Sequence, residues 1–308
     1  VTLAVVGAPP AGTRLGATDL LVVQDTGGRR YAVTGGRRLL VRTPAALVAI
    51  GADGAAVTGV SQAWINALPA GPDLTLLTVA GLGSPGHRVG TVSTRVGQVL
   101  VAASVGGADR YYAVQRDGLA PVTQVEAALL LGNPAERAAY AGTPQAVRVS
   151  PADVTGAPAS TARLAGGYPD LVPRATMAGT GQPLCLAVDG SGSVAVYLAT
   201  DMPLPDGAHP VPVTPAPGQP GPTADEVFVP PGAGALVREQ PAPGVGTGTT
   251  YLITDQGVRY PLGGPDAVKA LGYDAVPPAP LAATVLALFP LGPTLDVADA
   301  GKIALAGH

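Results

Sequence analysis

The sequence predicts an α+β fold assembled from small repeated units, each a β-hairpin followed by helices, about four of them packed around a loop-rich central region. Three observations predict it. A hairpin pattern followed by two helix patterns fills residues 249–297; the same three blocks recur in the same order over residues 20–74; and weaker hairpin patterns occupy the middle of the chain. The outer two units are the best preserved.

In the C-terminal unit, Tyr251 to Asp255 alternates apolar residues with threonine, Asp255 and Gly257 supply turn chemistry, and Val258 to Leu262 resumes a strand. Val268 and Leu271 mark a first helix. Leu281, Val285, Leu288 and Phe289 fall at i, i+4, i+7 and i+8, the apolar stripe of a second. Pro290, Gly292 and Pro293 stop it, because an interior proline removes a hydrogen bond and clashes with the preceding turn. The N-terminal unit repeats these features. Asp25, Arg30 and Tyr31 answer Asp255, Arg259 and Tyr260; Pro44 to Gly51 aligns without a gap on Pro265 to Gly272, and Val60 to Leu74 on Leu281 to Leu295. Val60, Trp64, Ala67 and Leu68 take the stripe positions, and Pro69, Gly71 and Pro72 repeat the stop. Trp64 stands where the other copy has Val285, which predicts a core side chain rather than a ligand platform. A hairpin with two one-faced helices is too small to bury itself, so the two stripes are expected to pack near each other.

Between these units, residues 1–19 read as a short strand and a Gly/Pro-rich lead-in, and residues 75–97 as a connector. Residues 98–132 carry a strand pair around Asp117 and Gly118 and a helix ending at Gly132, a unit that has lost its second helix. Residues 133–181 form the loop-rich centre, and residues 182–202 hold a further strand pair, LCLAV and VAVYLAT. Residues 203–248 are Pro/Gly-rich, hence stiff and extended, and predict a strap along a surface. Residues 298–308 are a tail.

Composition removes several function classes. Charged residues are 13% of the 308, the net charge is −3, and lysine occurs just at Lys269 and Lys302, so no basic surface suits a nucleic acid partner. Hydrophobic residues at 47% argue for a packed protein despite 43 glycines and 33 prolines. A single cysteine, Cys185, permits no internal disulfide. Its apolar neighbours Leu184 and Leu186 suit a small buried hydrophobe better than a reactive thiol. The longest apolar helical run, Leu281 to Phe289, is half of what a bilayer crossing needs, so no membrane-spanning segment is predicted within the sequence. Val1 is not an initiator methionine, and any targeting segment of the natural protein is expected to lie outside this sequence.

No catalytic, cofactor-binding or metal-ligating residue emerges from the motifs. His87, His209 and His308 are far apart and lack metal-ligand spacing. Gly81, Gly83 and Gly86 spell G-x-G-x-x-G after a strand-like run, but Pro85 interrupts and strand pattern follows where a dinucleotide site needs a helix. A tight loop is predicted there. Gly301 and Lys302 fail the phosphate-cradling loop, since Ile303 follows the lysine and Asp296 stands where the first glycine belongs. The residues singled out are structural: Asp25, Tyr31, Trp64, Pro69, Pro72, Pro230, Pro231, Gly232, Asp255, Gly257, Tyr260, Phe289, Pro290 and Pro293.

A family resemblance is carried by VFVPPGAGALVRE, TTYLITDQGVRYPL, AVKALGYDAVPP and VLALFPLGPTLD, and near the N-terminus by LLVVQDTGGRRYAV. These segments resemble EccB, the core membrane component of actinobacterial type VII (ESX) secretion systems, and the likeness spans most of residues 14–297. It implies repeats around a central domain on the extracytoplasmic side, in a periplasm-like space, anchored in the cell membrane by one helix outside this sequence. It also implies other core membrane subunits as partners, a homo-oligomer in the full complex, and a scaffold role in protein export. Members have been proposed to hydrolyse ATP; no motif here supports that alternative. Mycobacterial members carry a cysteine pair, and Cys185 alone cannot form it, so stability must rest on packing and the strap.

Overall fold

The computed structural model describes residues 1–7, 9–104, 107–214, 222–240 and 248–300. Most of the predicted tail, with Gly301, Lys302 and His308, lies outside the described residues, as do residues 215–221 and 241–247 of the predicted strap. Strands β1 (Leu3–Val5) and β2 (Gly12–Arg14) open the chain. A first run follows: β3 (Asp19–Gln24), β4 (Arg30–Thr34), β5 (Arg37–Leu40), α1 (Pro44–Ala49), β6 (Val57–Gly59) and α2 (Gln62–Ala67). A second run holds β7 (Val99–Ala102), β8 (Arg110–Val114), β9 (Leu119–Val122), α3 (Gln124–Leu131), a 3₁₀ helix at Pro134–Ala139, β10 (Val147–Val149) and α4 (Pro151–Thr155). Next come β11 (Arg174–Ala175), β12 (Leu184–Val188), β13 (Val194–Ala199), β14 (Val211–Pro212) and β15 (Glu226–Phe228). A third run follows: β16 (Gly234–Gln240), β17 (Thr250–Thr254), β18 (Arg259–Pro261), α5 (Pro265–Ala270), β19 (Ala279–Ala282) and α6 (Ala283–Leu286), with α7 (Val297–Ala300) after it. The class is α+β, with several small sheets and short helices.

Local chemistry accounts for these elements. Gly35 and Gly36, with φ of +54° and +71°, make the two-residue β4–β5 turn that only positive-φ residues close without strain. The β17–β18 turn is one residue longer and ends on Gly257 at φ +72°, with the Gly257 N–H donating to the Thr254 carbonyl at 2.9 Å. Helices start at the expected signals. The Ser61 hydroxyl accepts from the Trp64 N–H at 3.0 Å, and Thr123 with Glu126 and Ser150 with Asp153 form reciprocal capping boxes.

The three runs share one connectivity. In each, three strands form an antiparallel meander, a helix follows, and a fourth strand returns parallel to the first: β6 on β3, β10 on β7, β19 on β16. A second helix comes next, and the chain then runs parallel to the third strand. Ala70 bridges Arg38, Ala159 bridges Leu119, and Leu291 bridges Arg259. This register corrects three sequence predictions. The run of residues 98–132 does not end at Gly132: β10 and α4 supply the missing return and second helix. The last run does not begin at residue 249; its first strand, β16, comes from the predicted strap and lies inside the sheet order β18-β17-β16-β19. Finally, Arg259 is equivalent to Arg38, not Arg30, because both bridge the post-helix segment and pair with β4 and β17 at Val33 and Ile253. Tyr31 then answers Tyr251 instead of Tyr260, and Asp25 and Asp255 sit in different turns.

Two compact units result, one from Leu15–Gly59 and Ala70–Met177, the other from Val1–Arg14, Val60–Pro69 and the chain from Ala178 onward. In the first, Leu20, Val22, Ala32 and Leu39 of one sheet share a core with Leu47 of α1, Val99 and Ala113 of the second sheet, and Leu129 and Leu130 of α3. Gly132 lets α1 and α3 close up, since a Cβ there would collide with Ala49. In the other unit, Ala63 and Ala67 of α2 pack in one core with Val285, Leu286, Leu288 and Phe289 around α6, with Val227, Val237 and Ile253 beneath. The second helices of the outer runs do cover each other. The β12–β13 hairpin, predicted over residues 182–202, pairs with β2 from the lead-in.

Trp64 corrects another prediction. It is half-buried, while Ala63, Ile65, Ala67 and Leu68 are buried around it, because α2 is only 6 residues long and its buried face does not follow a long-helix stripe. Its indole N–H donates to the Leu184 carbonyl at 3.0 Å, tying α2 to β12. We predict that Phe289→Ala, which empties a 5% exposed site, costs about 3–5 kcal/mol of unfolding free energy in urea titrations. Trp64→Phe keeps most of the ring and loses the Leu184 bond, for a cost of about 1 kcal/mol. An unchanged midpoint in Phe289→Ala would show that the α6 face does not hold this core.

Candidate functional site

The residues selected from sequence sit mostly at turns, and the structure joins several of them. Asp25, with a fully buried side chain, closes the β3–β4 turn: one carboxylate oxygen accepts from the N–H groups of Gly27 and Arg29, each at 2.9 Å. The other accepts from Arg29 Nε at 2.8 Å and the Tyr31 hydroxyl at 3.4 Å. Burial pushes the Asp25 carboxyl up, but the Arg29 and Gly27 donors outweigh it and hold the group below the usual carboxylate range. Asp255 does different work. Its carboxylate accepts from the Gly232 N–H at 2.9 Å, which fastens the Pro230-Pro231-Gly232 turn to the β17–β18 turn. Gly257 fits there because a Cβ would fall 2.9 Å from Val227 Cγ1.

The four prolines lie in the segments that run beside the third strands. Pro290 offers its carbonyl to the Arg259 N–H at 2.9 Å, and Gly292 donates to the Arg259 carbonyl at 2.8 Å. Gly71 donates to the Arg38 carbonyl at 2.8 Å in the same way, flanked by Pro69 and Pro72, as Gly292 is by Pro290 and Pro293. The Tyr260 ring occupies the space a Cβ on Gly292 would need, 2.5 Å from Tyr260 Cε1.

Sequence reasoning missed a tyrosine–arginine pair that recurs on equivalent strands. Arg38 lies 6.0 Å from the Tyr31 ring centroid and Arg259 5.5 Å from that of Tyr251. In the second run Tyr112 and Leu119 take these places and pack as hydrophobes. The signal was present as a Tyr and an Arg on neighbouring strands, but it needs the true register to be seen. Arg259 is buried, and its Nε has no hydrogen-bond partner. Burial lowers its pKa, against the pull of Tyr251 and Glu239.

Polar clusters elsewhere hold loops. Asp117, in the β8–β9 turn, accepts from Ser160 Oγ at 2.6 Å, Thr161 N at 2.9 Å and Thr161 Oγ1 at 3.0 Å. The Ser160 hydroxyl, then the Thr161 N–H, lower its pKa to about 2. Asp189 likewise accepts from Ser191 N, Ser191 Oγ and Ser193 N. In both, the serine proton points at a carboxylate, an arrangement that orders a turn.

The G-x-G-x-x-G loop is filled by protein. A Cβ at Gly81 would meet the Arg116 guanidinium, one at Gly83 would sit 3.0 Å from the Ala138 carbonyl oxygen, and one at Gly86 2.5 Å from Thr94 Oγ1. These glycines permit close packing of backbone on neighbouring side chains, as the sequence predicts for a tight loop. His87 faces the Arg116 carbonyl at 3.2 Å. Burial raises the Cys185 thiol, on β12. Lys269 is exposed on α5. Among the described residues, no three His, Cys, Asp or Glu side chains gather as metal ligands, and no helix is long and apolar enough to cross a membrane.

The family model described as type VII secretion system ESX-1, transport TM domain B, matches residues 1–304. The chain is 30% identical over 262 residues to the ESX-3 secretion system ATPase EccB3 of Mycolicibacterium smegmatis (strain ATCC 700084 / mc(2)155), covering 82% of this chain and 49% of that protein. It is 28% identical over 322 residues to the protein of the same name from Mycobacterium tuberculosis (strain ATCC 25618 / H37Rv), covering 90% and 58%. The chain thus spans about half the length of the curated relatives it matches. Among solved structures, it is similar to a chain in the periplasmic assembly from the ESX-5 inner membrane complex, with a TM-score of 0.68, 26% identity, and coverage of 99% of this chain and 75% of that one. For a chain of the EccB3 dimer from the ESX-3 core complex the TM-score is 0.69, with 26% identity and coverage of 96% and 75%.

The Asp117 clamp makes a prediction that needs no knowledge of function. Its carboxyl should titrate near 2 by NMR, and Ser160→Ala should move that midpoint up toward the ordinary aspartate value. A midpoint unmoved by Ser160→Ala would remove Ser160 as the cause.

Proposed function

Because the chain belongs to the EccB family of type VII secretion membrane components, we propose that it is the extracytoplasmic scaffold part of such a subunit, acting through subunit contacts in protein export. The observation that carries the proposal is the recurrence of one strand and helix order in three sheets, each tied down at its turns by carboxylates or close-packed glycines. We read the three runs as internal copies of one unit, spanning roughly residues 19–74, 99–160 and 234–295, with the hairpin of residues 182–202 as a reduced copy. Repeated units of this kind present several similar strand edges and turns for contact, which is what a part beside an export path requires. The partners are other core membrane subunits and further copies of the same protein, and a membrane helix outside this chain holds it at the cell membrane. Such an anchor raises the effective concentration of neighbouring subunits, so that weak contacts suffice.

The names of the matched relatives include ATPase, which makes nucleotide hydrolysis the alternative. The geometry favours the scaffold. The glycines of the one nucleotide-like motif are packed against Arg116, Ala138 and Thr94, and the serine hydroxyls at Asp117 and Asp189 are engaged with carboxylates.

The test uses the full-length protein extracted in mild detergent. We expect other secretion-complex subunits to co-purify with it, and phosphate release from ATP to stay at the level of a buffer blank and of Lys269→Ala. Turnover that rises with purity and collapses in one point variant would overturn the scaffold reading in favour of the hydrolase, and a protein that purifies free of any membrane partner would overturn it outright.

A further inference from the structure

One buried group has no part in the scaffold geometry. Glu136 sits in the 3₁₀ helix at Pro134–Ala139 and is fully buried, and neither carboxyl oxygen has a hydrogen-bond partner. The Thr78 hydroxyl and Val79 N–H lie close enough to favour its ionised form, yet neither completes a hydrogen bond to it. Its surroundings are a tight cage. Gly97, at φ +95°, comes so close that a Cβ there would fall 2.5 Å from Glu136 Oε2 and would also meet Leu82. The glycine loop is pinned around it by the Gly83 N–H to the Val96 carbonyl and the Val96 N–H to the Ser84 carbonyl, both at 2.9 Å. On the other side, Gln98 Nε2 donates to the Ala139 carbonyl at 2.9 Å, and the Val99 N–H donates to the Tyr140 hydroxyl at 2.8 Å. The 3₁₀ helix is therefore the lid on the carboxyl.

An ionised carboxylate in such a cage has the Thr78 hydroxyl and Val79 N–H nearby but no completed hydrogen bond, and a buried charge without a partner is far costlier than a buried neutral acid. Among the described residues no cation contributes to its shift, although Arg116 packs over Gly81 in the same loop. Within the 3₁₀ helix Arg137 is exposed, and Tyr140 follows as a neutral phenol whose pKa is raised first by burial and to a smaller extent by the Glu136 charge. On α3, Glu126 is a second acid, held by the Thr123 N–H in its capping box. In the glycine loop, Arg95 spends its guanidinium on the Gly83 carbonyl at 3.0 Å. Residues 77–83 carry no titratable side chain.

We propose that Glu136 is a proton-controlled latch: protonated, it lets the 3₁₀ helix stay seated against the glycine loop of residues 81–97, and on ionising it drives that contact open to reach water. Burial, the larger effect, raises the pKa from 4.5 to about 7, against the smaller opposite pull of Thr78 and Val79. The sign follows. The folded value lies above the unfolded one, so the latch is fully engaged below about pH 4.5 and loses its hold as pH rises through about 7. An acidified surrounding would thus tighten this unit, and a neutral to alkaline one would loosen it.

Hydrogen exchange on the whole chain tests this. Once the intrinsic pH dependence is divided out, opening at the amides of Gly83, Val96, Val99 and Tyr140 should increase by roughly 10²-fold between pH 5 and pH 8.5 in the wild type. In Glu136→Met, which fills the site without a charge, it should stay flat. The carboxyl carbon of Glu136 should titrate near neutrality by NMR, which decides the matter in the wild type alone if the variant does not fold. A midpoint at the ordinary glutamate value, or the same rise in opening in Glu136→Met, would overturn the proposal.

Discussion

The constraint behind the fold is that a three-stranded meander has two open edges, and a small sheet with unpaired edges is neither stable alone nor safe from association. The chain meets it twice in every run. A parallel strand closes the first edge after the first helix, and the extended segment after the second helix closes the other, through Ala70 on Arg38, Ala159 on Leu119 and Leu291 on Arg259. This explains the prolines. In the outer runs the N–H groups that reach the neighbouring strand come from Gly71 and Leu74, and from Gly292 and Leu295. Pro72 and Pro293 fall between these donors and Pro69 and Pro290 just before them, at positions where no donor is required and fixed φ favours the extended chain. What reads in sequence as a helix stop is equally an edge strand.

That double use explains which parts of the fold were legible. Hairpins and proline stops are local and legible, but the stripe from Leu281 to Phe289 is not one helix: Leu281 belongs to β19, and α6 spans only Ala283–Leu286, because the chain first pairs with β16. The parallel returns are not local. Strands β6, β10 and β19 are 3 or 4 residues long, too short for alternation to show, and their partners lie more than 30 residues earlier. A meander also contains two hairpins of similar chemistry. An Asp before a Gly and an Arg-Tyr pair after it occur at the first turn in one run and at the second in the other, so the eye aligns residues that the register separates by a whole strand. Strand β16 was lost for a related reason, since its flanks are Pro/Gly-rich on both sides and its own ALVRE is brief.

The glycine loop was legible in one dimension, and the polar clamps were not. A dinucleotide loop needs a helix after its glycines, and the absence of helix pattern beyond Gly86 is visible in one dimension. The Asp117 clamp is not: its hydroxyl and amide partners, Ser160 and Thr161, come from the segment that closes the β9 edge, beyond α3 and α4. Trp64 fell between these cases. Its importance was plain, but a helix of 6 residues places neighbours such as Ile65 and Leu68 inward and leaves the indole to bridge to Leu184.

The buried charges show how economically this sparsely charged chain treats polar groups. Asp25 is surrounded by donors on one turn, Glu126 closes a capping box with Thr123, and Arg259 lies against an aromatic face. Each solution is local in the fold, and each lets a charged side chain sit in the interior of a small unit without a distant partner. Glu136 follows none of them. A carboxyl left in an apolar cage costs free energy that a leucine or methionine of similar size would not, and an exposed acid beside Pro134 would have served as well to start the 3₁₀ helix. Unsatisfied buried groups are few in folded proteins, and those that persist are where strain is stored or a state is controlled. The contrast with Asp25 and Glu126, whose carboxylates do have donors in the same chain, separates Glu136 from ordinary packing more firmly than its burial alone.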